Sequence, residues 1–210
     1  GHGKSEGKRG HSPGIEFNLD DLDRVIQNIP KEHLFIYGHS FGGNVLANFL
    51  LRKQPNYLSG AVLSSAWFEL AKQPNILEFA MANVMNKIAP GFTQNSKIDA
   101  NHLSNEPSVC EAYVTDPLNH DKISVRLFSD FYEAGKWAIK NADKLPVETL
   151  LVHGADDAII SSHGTVEFTE NSKGLAKCKI FENTKHEPHN DKTHETLFAY
   201  TLSWLESILD

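Results

Sequence analysis

Along the chain, apolar residues fall into two patterns: stretches that repeat every three to four positions, and short runs that are apolar almost throughout. The first helical stretch is EFNLDDLDRVIQNIP, where Leu19, Leu22, Val25, Ile26 and Ile29 recur at helical spacing, with Asn18 as the expected N-cap and Pro30 as the stop. HLFIYGHS is a strand-type burst that runs straight into the helical FGGNVLANFLLRK. GAVLSSAW, ETLLVHGADD and CKIFENT supply three further apolar strands, and HETLFAYTLSWLESIL closes the chain as an amphipathic helix. Strands apolar on both faces, alternating with helices, predict an α/β fold with a mostly parallel sheet flanked by helices.

Between the second and third strands, from about Phe68 to Leu145, the pattern changes. ILEFAMANVMNKIA and VRLFSDFYEAGKWAIKNA are helical, TQNSKIDANHLSNEPS between them reads as loop, and no strand is expected. This helical insertion divides the chain into a core, residues 1–66 and 146–210, and a cap, residues 67–145. In the first of its helices Ile76, Leu77, Ala80, Met81, Val84, Met85 and Ile88 share one face, with Glu78 and Lys87 the only charges. Such a face either covers the body of the protein or forms a lid that admits an acyl chain and rests on a lipid surface.

Composition narrows the functional classes. The 210 residues suit one domain with a small inserted subdomain, and 40% hydrophobic with 22% charged residues is a globular balance. A net charge of −7 argues against nucleic acid as a partner, because that binding draws on Lys and Arg neutralising phosphates. The same charge gives no attraction to anionic lipid. Cys110 and Cys178 form neither a CxxC pair nor a metal spacing, and are expected as buried free thiols. No apolar run approaches the roughly 20 residues of a spanning helix.

The strongest chemical signal is Gly38-His39-Ser40-Phe41-Gly42, a G-x-S-x-G run lying where a strand turns directly into a helix. A serine at the apex of that turn takes a strained backbone, lifts its hydroxyl above the sheet, and leaves the Phe41 N–H aimed at a developing oxyanion. Side chains two residues either way would collide, which accounts for the flanking glycines. A serine hydroxyl needs a base, itself oriented by an acid, and in this arrangement the order along the chain is Ser, acid, His. LLVHGADDAI offers Asp156 or Asp157 just past the third strand; IFENTKHEPHND and the residues after it offer His186, His189 or His194 past the fourth. Loops at the carboxyl ends of parallel strands converge, so the three groups can meet. HEPHNDKTHE also holds His and Glu residues of metal-ligand type, but its H-E-P-H spacing departs from H-E-x-x-H and Pro188 interrupts a helix. The opening GHGKSEGKRG contains the Gly-Lys-Ser ending of a phosphate loop without the earlier glycine that pattern requires.

Taken together, GHGKSEGKRGH, GHSFGGN, DPLNHDKISVR, LLVHGADD and KHEPHND resemble the monoacylglycerol lipase and lysophospholipase branch of the α/β-hydrolases, over the whole chain. The resemblance implies Ser40 as nucleophile, Asp157 as acid and His186 as base, with Phe41 N–H in the oxyanion hole. It implies hydrolysis of a lipid-type carboxylic ester through an acyl-enzyme, no cofactor or metal, and a cap over an acyl-binding tunnel. It makes the opening run a turn near the site rather than a nucleotide loop. It further implies strands ahead of Gly1, one of whose loops supplies a second oxyanion donor, and a cytoplasmic or membrane-peripheral location. A peptidase on the same constellation, or a non-catalytic scaffold that binds an apolar ligand, are the alternatives.

Overall fold

In the computed structural model, which describes residues 1–96 and 98–209, helix α1 spans Ile15–Gln27 and buries Leu19 and Ile26. Its N-cap is Gly14, not Asn18 as expected. Asn18 falls inside the first turn, where its Oδ1 accepts a hydrogen bond from the Ser12 hydroxyl. The helix ends ahead of Pro30, with Asn28 as C-cap.

The strands form where the apolar bursts predicted them. β1 (Phe35–His39) leads into α2 (Phe41–Lys53), and β2 (Gly60–Ser64) follows. Beyond the insertion come β5 (Thr149–Gly154), α6 (Ser162–Asn171), β6 (Ala176–Phe181) and α7 (His194–Leu209). The main sheet has the order β1-β2-β5-β6, parallel throughout, with Gly38 beside Leu63 and Ser64 beside Val152. Successive strand residues point to opposite faces, and the core divides accordingly. Leu63 and Leu151 pack with Leu46, Phe49, Leu50, Phe131 and Phe168 from the helices on one face. Val62, Leu150, Val152 and Phe181 pack with Leu197 and Trp204 of α7 on the other. Among the described residues β1 pairs on one side only, with β2, and its Tyr37 is exposed.

The insertion holds more order than its sequence predicted. α3 (Ile76–Ile88) and α5 (Val125–Lys140) are the two expected helices. The stretch expected to be loop instead contributes β3 (Thr93–Asn95), which pairs antiparallel with β4 (Lys122–Ser124), and a 3-10 turn at Ala100–His102. A further helix, α4 (Pro107–Thr115), starts with proline in its first turn. Three-residue strands of polar composition carry no alternation to detect. α5 lies against α2: buried Asn44 donates from Nδ2 to the Phe131 carbonyl at 2.9 Å, and Asn48 to that of Ala134 at 3.2 Å. α3 buries no residue. Its Phe79, Ala82, Met85 and Asn86 turn inward, Phe79 meeting Tyr132 at 5.2 Å, while Ile76, Leu77, Met81, Val84 and Ile88 face outward. Cys110 and Cys178 are free but half-buried rather than buried. Among the described residues, no helix is long and apolar enough to cross a membrane.

Candidate active site

Ser40 sits between β1 and α2 with φ 52° and ψ −117°, a left-handed conformation costly for a side-chain-bearing residue. The surrounding backbone holds it there. Its N–H donates to the Ser64 carbonyl at 2.8 Å, and its carbonyl accepts from Asn44 N at 3.1 Å and Trp67 N at 3.0 Å. Close packing explains two of the glycines. A Cβ on Gly38 would lie 2.7 Å from the Gly42 carbonyl oxygen, and one on Gly43 would lie 2.8 Å from the Ala66 Cβ. At Gly42 there is open space, so the collision expected there is instead met one residue later.

The Ser40 Oγ is 2.9 Å from His186 Nε2, and His186 Nδ1 is 2.7 Å from Asp157 Oδ2. A carboxylate only accepts, so the imidazole donates from Nδ1 and leaves the Nε2 lone pair for the serine hydroxyl. A hydroxyl held this way can pass its proton to Nε2 as its oxygen attacks an electrophile. Asp157 Oδ1 meanwhile accepts from Ile159 N and Ile160 N, both at 2.9 Å. Burial opposes charge on Asp157, yet hydrogen bonds from His153 and His186 outweigh it and hold the carboxyl well below the usual carboxylate range. Asp156 is exposed, and its backbone N–H donates to the Thr184 carbonyl at 2.9 Å.

His186 reaches this position because its loop crosses the end of β5 in close contact. A Cβ on Gly154 would fall 2.2 Å from the Lys185 carbonyl oxygen and 2.3 Å from that of Thr184. The other side of the loop is fastened to the cap. His186 N donates to the His102 carbonyl and Glu187 N to that of Leu103, while Ser104 Oγ donates to the Asn190 carbonyl at 3.0 Å. Fully buried Asp191 accepts from Lys185 N at 2.8 Å, Lys192 N at 2.7 Å, Asn105 N at 3.1 Å and Asn105 Nδ2 at 3.3 Å. Asp191 closes the KHEPHND run but received no role from it, and Asn105 lies in the stretch read as loop. His194 begins α7 and bonds the Asp191 carbonyl through Nδ1. His189 lies edge-on to His39 at 4.6 Å, and His39 lies 4.9 Å from the His186 ring. The histidines of the HEPHNDKTHE run thus turn to different partners, and among the described residues no group of three His, Cys, Asp or Glu side chains is arranged to hold a metal ion.

The first N–H groups of a helix lack intrahelical acceptors, and Phe41 opens α2 directly beside Ser40, its ring 4.4 Å from Phe131. The opening loop stands against the cap. Its Gly10 carbonyl accepts from Ser124 N, and the His2 ring stacks on His120 at 4.5 Å. A cleft of about 750 Å³ lies within the cap, between Ile98, Asp99, Tyr113, Val114 and Asp121; Ser40 is not among its walls.

Sheet order, strained serine turn and capping helices together define an α/β-hydrolase of the serine-hydrolase type. More particularly, the chain belongs to the serine aminopeptidase S33 family, whose model matches residues 1–193, and is related to the monoacylglycerol lipases. The crystal structure of a monoacylglycerol lipase from Paleococcus ferrophilus superimposes with a TM-score of 0.90 at 30% identity, over 99% of this chain and 80% of that one. A monoacylglycerol lipase of Mycolicibacterium smegmatis is 26% identical over all of this chain and 76% of its own length. An uncharacterised abhydrolase-domain protein of Dictyostelium discoideum is 30% identical over all of this chain, which spans only 23% of that relative.

Proposed function

We propose that this chain carries the catalytic centre of a hydrolase that cleaves lipid-type carboxylic esters, a monoacylglycerol or a lysophospholipid, through an acyl-enzyme. Ser40 Oγ attacks the ester carbonyl while His186 Nε2 takes its proton, and Asp157 orients the imidazole and stabilises its charged form. The Phe41 N–H meets the tetrahedral oxyanion. Collapse expels the alcohol, protonated by His186. Water then attacks acyl-Ser40 with His186 as base, releasing the fatty acid and the free serine.

The observation that carries this reading is the continuous hydrogen-bonded line from Ser40 Oγ through His186 to Asp157, at 2.9 and 2.7 Å. The lipid character of the substrate draws on two weaker supports. The related lipases of Mycolicibacterium smegmatis and Paleococcus ferrophilus are named for monoacylglycerol, and α3 carries an outward apolar face suited to a lipid surface.

Intact-mass spectrometry after exposure to a fluorophosphonate is the test, followed by turnover of p-nitrophenyl esters, monoacylglycerols, lysophospholipids and aminoacyl p-nitroanilides. The expected result is one adduct and ester turnover, both lost in Ser40→Ala with the fold retained. Turnover unchanged in Ser40→Ala rules out Ser40 as nucleophile. Action on the anilides alone transfers the site to peptidase chemistry, and no adduct at all leaves a binding scaffold.

A further inference from the structure

A second imidazole reaches the acid of this site from behind. His153, the penultimate residue of β5, is fully buried. Its Nε2 lies 3.0 Å from Asp157 Oδ2 and 3.2 Å from the Ile160 carbonyl oxygen, and its Nδ1 lies 2.8 Å from the Thr165 hydroxyl on α6. Both neighbours of Nε2 only accept, so Nε2 carries a proton, and the Thr165 hydroxyl serves either state of Nδ1. Oδ2 is also the oxygen that takes the His186 Nδ1–H. With Ile159 and Ile160 N–H on Oδ1, four donors fill the four lone-pair positions of one buried carboxylate. Simple filling of this space would be met by an apolar side chain without the cost of burying a polar ring.

We infer that His153 is a positioning residue for the acid of the site: its Nε2–H anchors Asp157 Oδ2 and divides that oxygen's charge between two imidazoles, which tunes how firmly the protonated form of His186 is held. The inference rests on the roles of Ser40, His186 and Asp157 proposed above. The described groups that face His186 are Asp157 from the loop after β5, His39 from β1, and His189 from its own loop. His153 acts on it only through the shared oxygen.

The experiment compares wild type with His153→Leu, which fills the space without a donor, and His153→Gln, whose amide N–H can restore one. Ester turnover is followed from pH 5 to 9, with melting temperatures recorded in parallel. Loss of the second donor leaves more charge on Oδ2 for the His186 imidazolium, so the acid limb of the pH–rate profile moves to higher pH in His153→Leu. Asp157 also loses the anchor that sets its geometry against His186, so the neutral rate falls by about ten- to a hundred-fold, the range spanned by one charge-assisted hydrogen bond. His153→Gln recovers most of that loss. A limb that stays in place in His153→Leu, or a Gln variant as impaired as the Leu variant, overturns the assignment. Imidazole nitrogen NMR of the wild type provides a test that needs no variant to fold: Nε2 of His153 is expected to be protonated, and an Nδ1–H tautomer with bare Nε2 overturns the assignment. If the wild type shows no Ser40-dependent turnover, the functional reading fails, and the same spectrum still decides the His153–Asp157 bond.

Discussion

His39 stands next to the serine and carries a proton affinity unlike that of a free histidine. Burial, then repulsion from His186 and His189, lowers its pKa from the ordinary 6.5 to about 2, against a weaker pull from Asp157. Its folded value lies below its unfolded one, so between those two values the unfolded chain binds a proton that the folded chain refuses. Stability therefore falls as pH drops below about 6.5, by up to about 1.4 kcal/mol per unit from this group. Melting at pH 7.5 and pH 5.0 is expected to show a larger loss in wild type than in His39→Gln, by about 4–8 °C. Equal losses would mean that His39 titrates normally.

At the scale of elements, the site depends on how one loop is gripped from two sides. Gly154 lets the His186 loop cross β5, and Asp191 ties that loop to Asn105 of the cap. Asp191→Asn places an N–H₂ among four N–H donors, which costs about 1.5–3 kcal/mol and lowers the melting temperature by about 3–12 °C. Ester turnover is expected to fall with it, as His186 loses its register with Ser40; a variant that melts and turns over like wild type would show the tie to be dispensable. This grip was the least legible feature in the sequence. β1, β2, β5 and β6 were readable because strands covered on both faces are apolar without interruption, and the G-x-S-x-G turn because its geometry demands particular residues. Asp191 and His153 were not, since a buried polar side chain earns its place through partners distant in sequence. β3, β4 and α4 were too short or too polar to impose a period. The Asn18 cap failed for a local reason: Gly14 starts the helix earlier, and Asn18 is taken up by Ser12.

For the molecule as a whole, the contrast between α3 and its surroundings matters most. The protein carries net negative charge, yet α3 turns Ile76, Leu77, Met81, Val84 and Ile88 outward. Contact with a lipid surface would then be driven by apolar burial rather than by charge. Co-sedimentation with neutral phosphatidylcholine vesicles is expected to persist when salt rises from about 0.1 to 0.5 M, since screening acts only on charge. Leu77→Glu with Val84→Glu should weaken it about ten-fold or more, because each side chain gives up about 1.5–3 kcal/mol at full burial. Binding that salt abolishes, or that the double variant retains, would place the contact elsewhere.

The fastening of residues 101–105 to the His186 loop separates two evolutionary freedoms. Those residues are bound to the His186 loop through backbone and buried carboxylate, so substitutions there are expected to reach His186. α3 meets α5 through an inner face that includes Phe79 and shares no hydrogen bond with the His186 loop among the described residues. Exchange of its outward residues, or of the helix for another of similar length, is expected to leave the Ser40–His186 contact in place. On the proposed reading, substrate preference can thus be altered through α3 without disturbing the reaction.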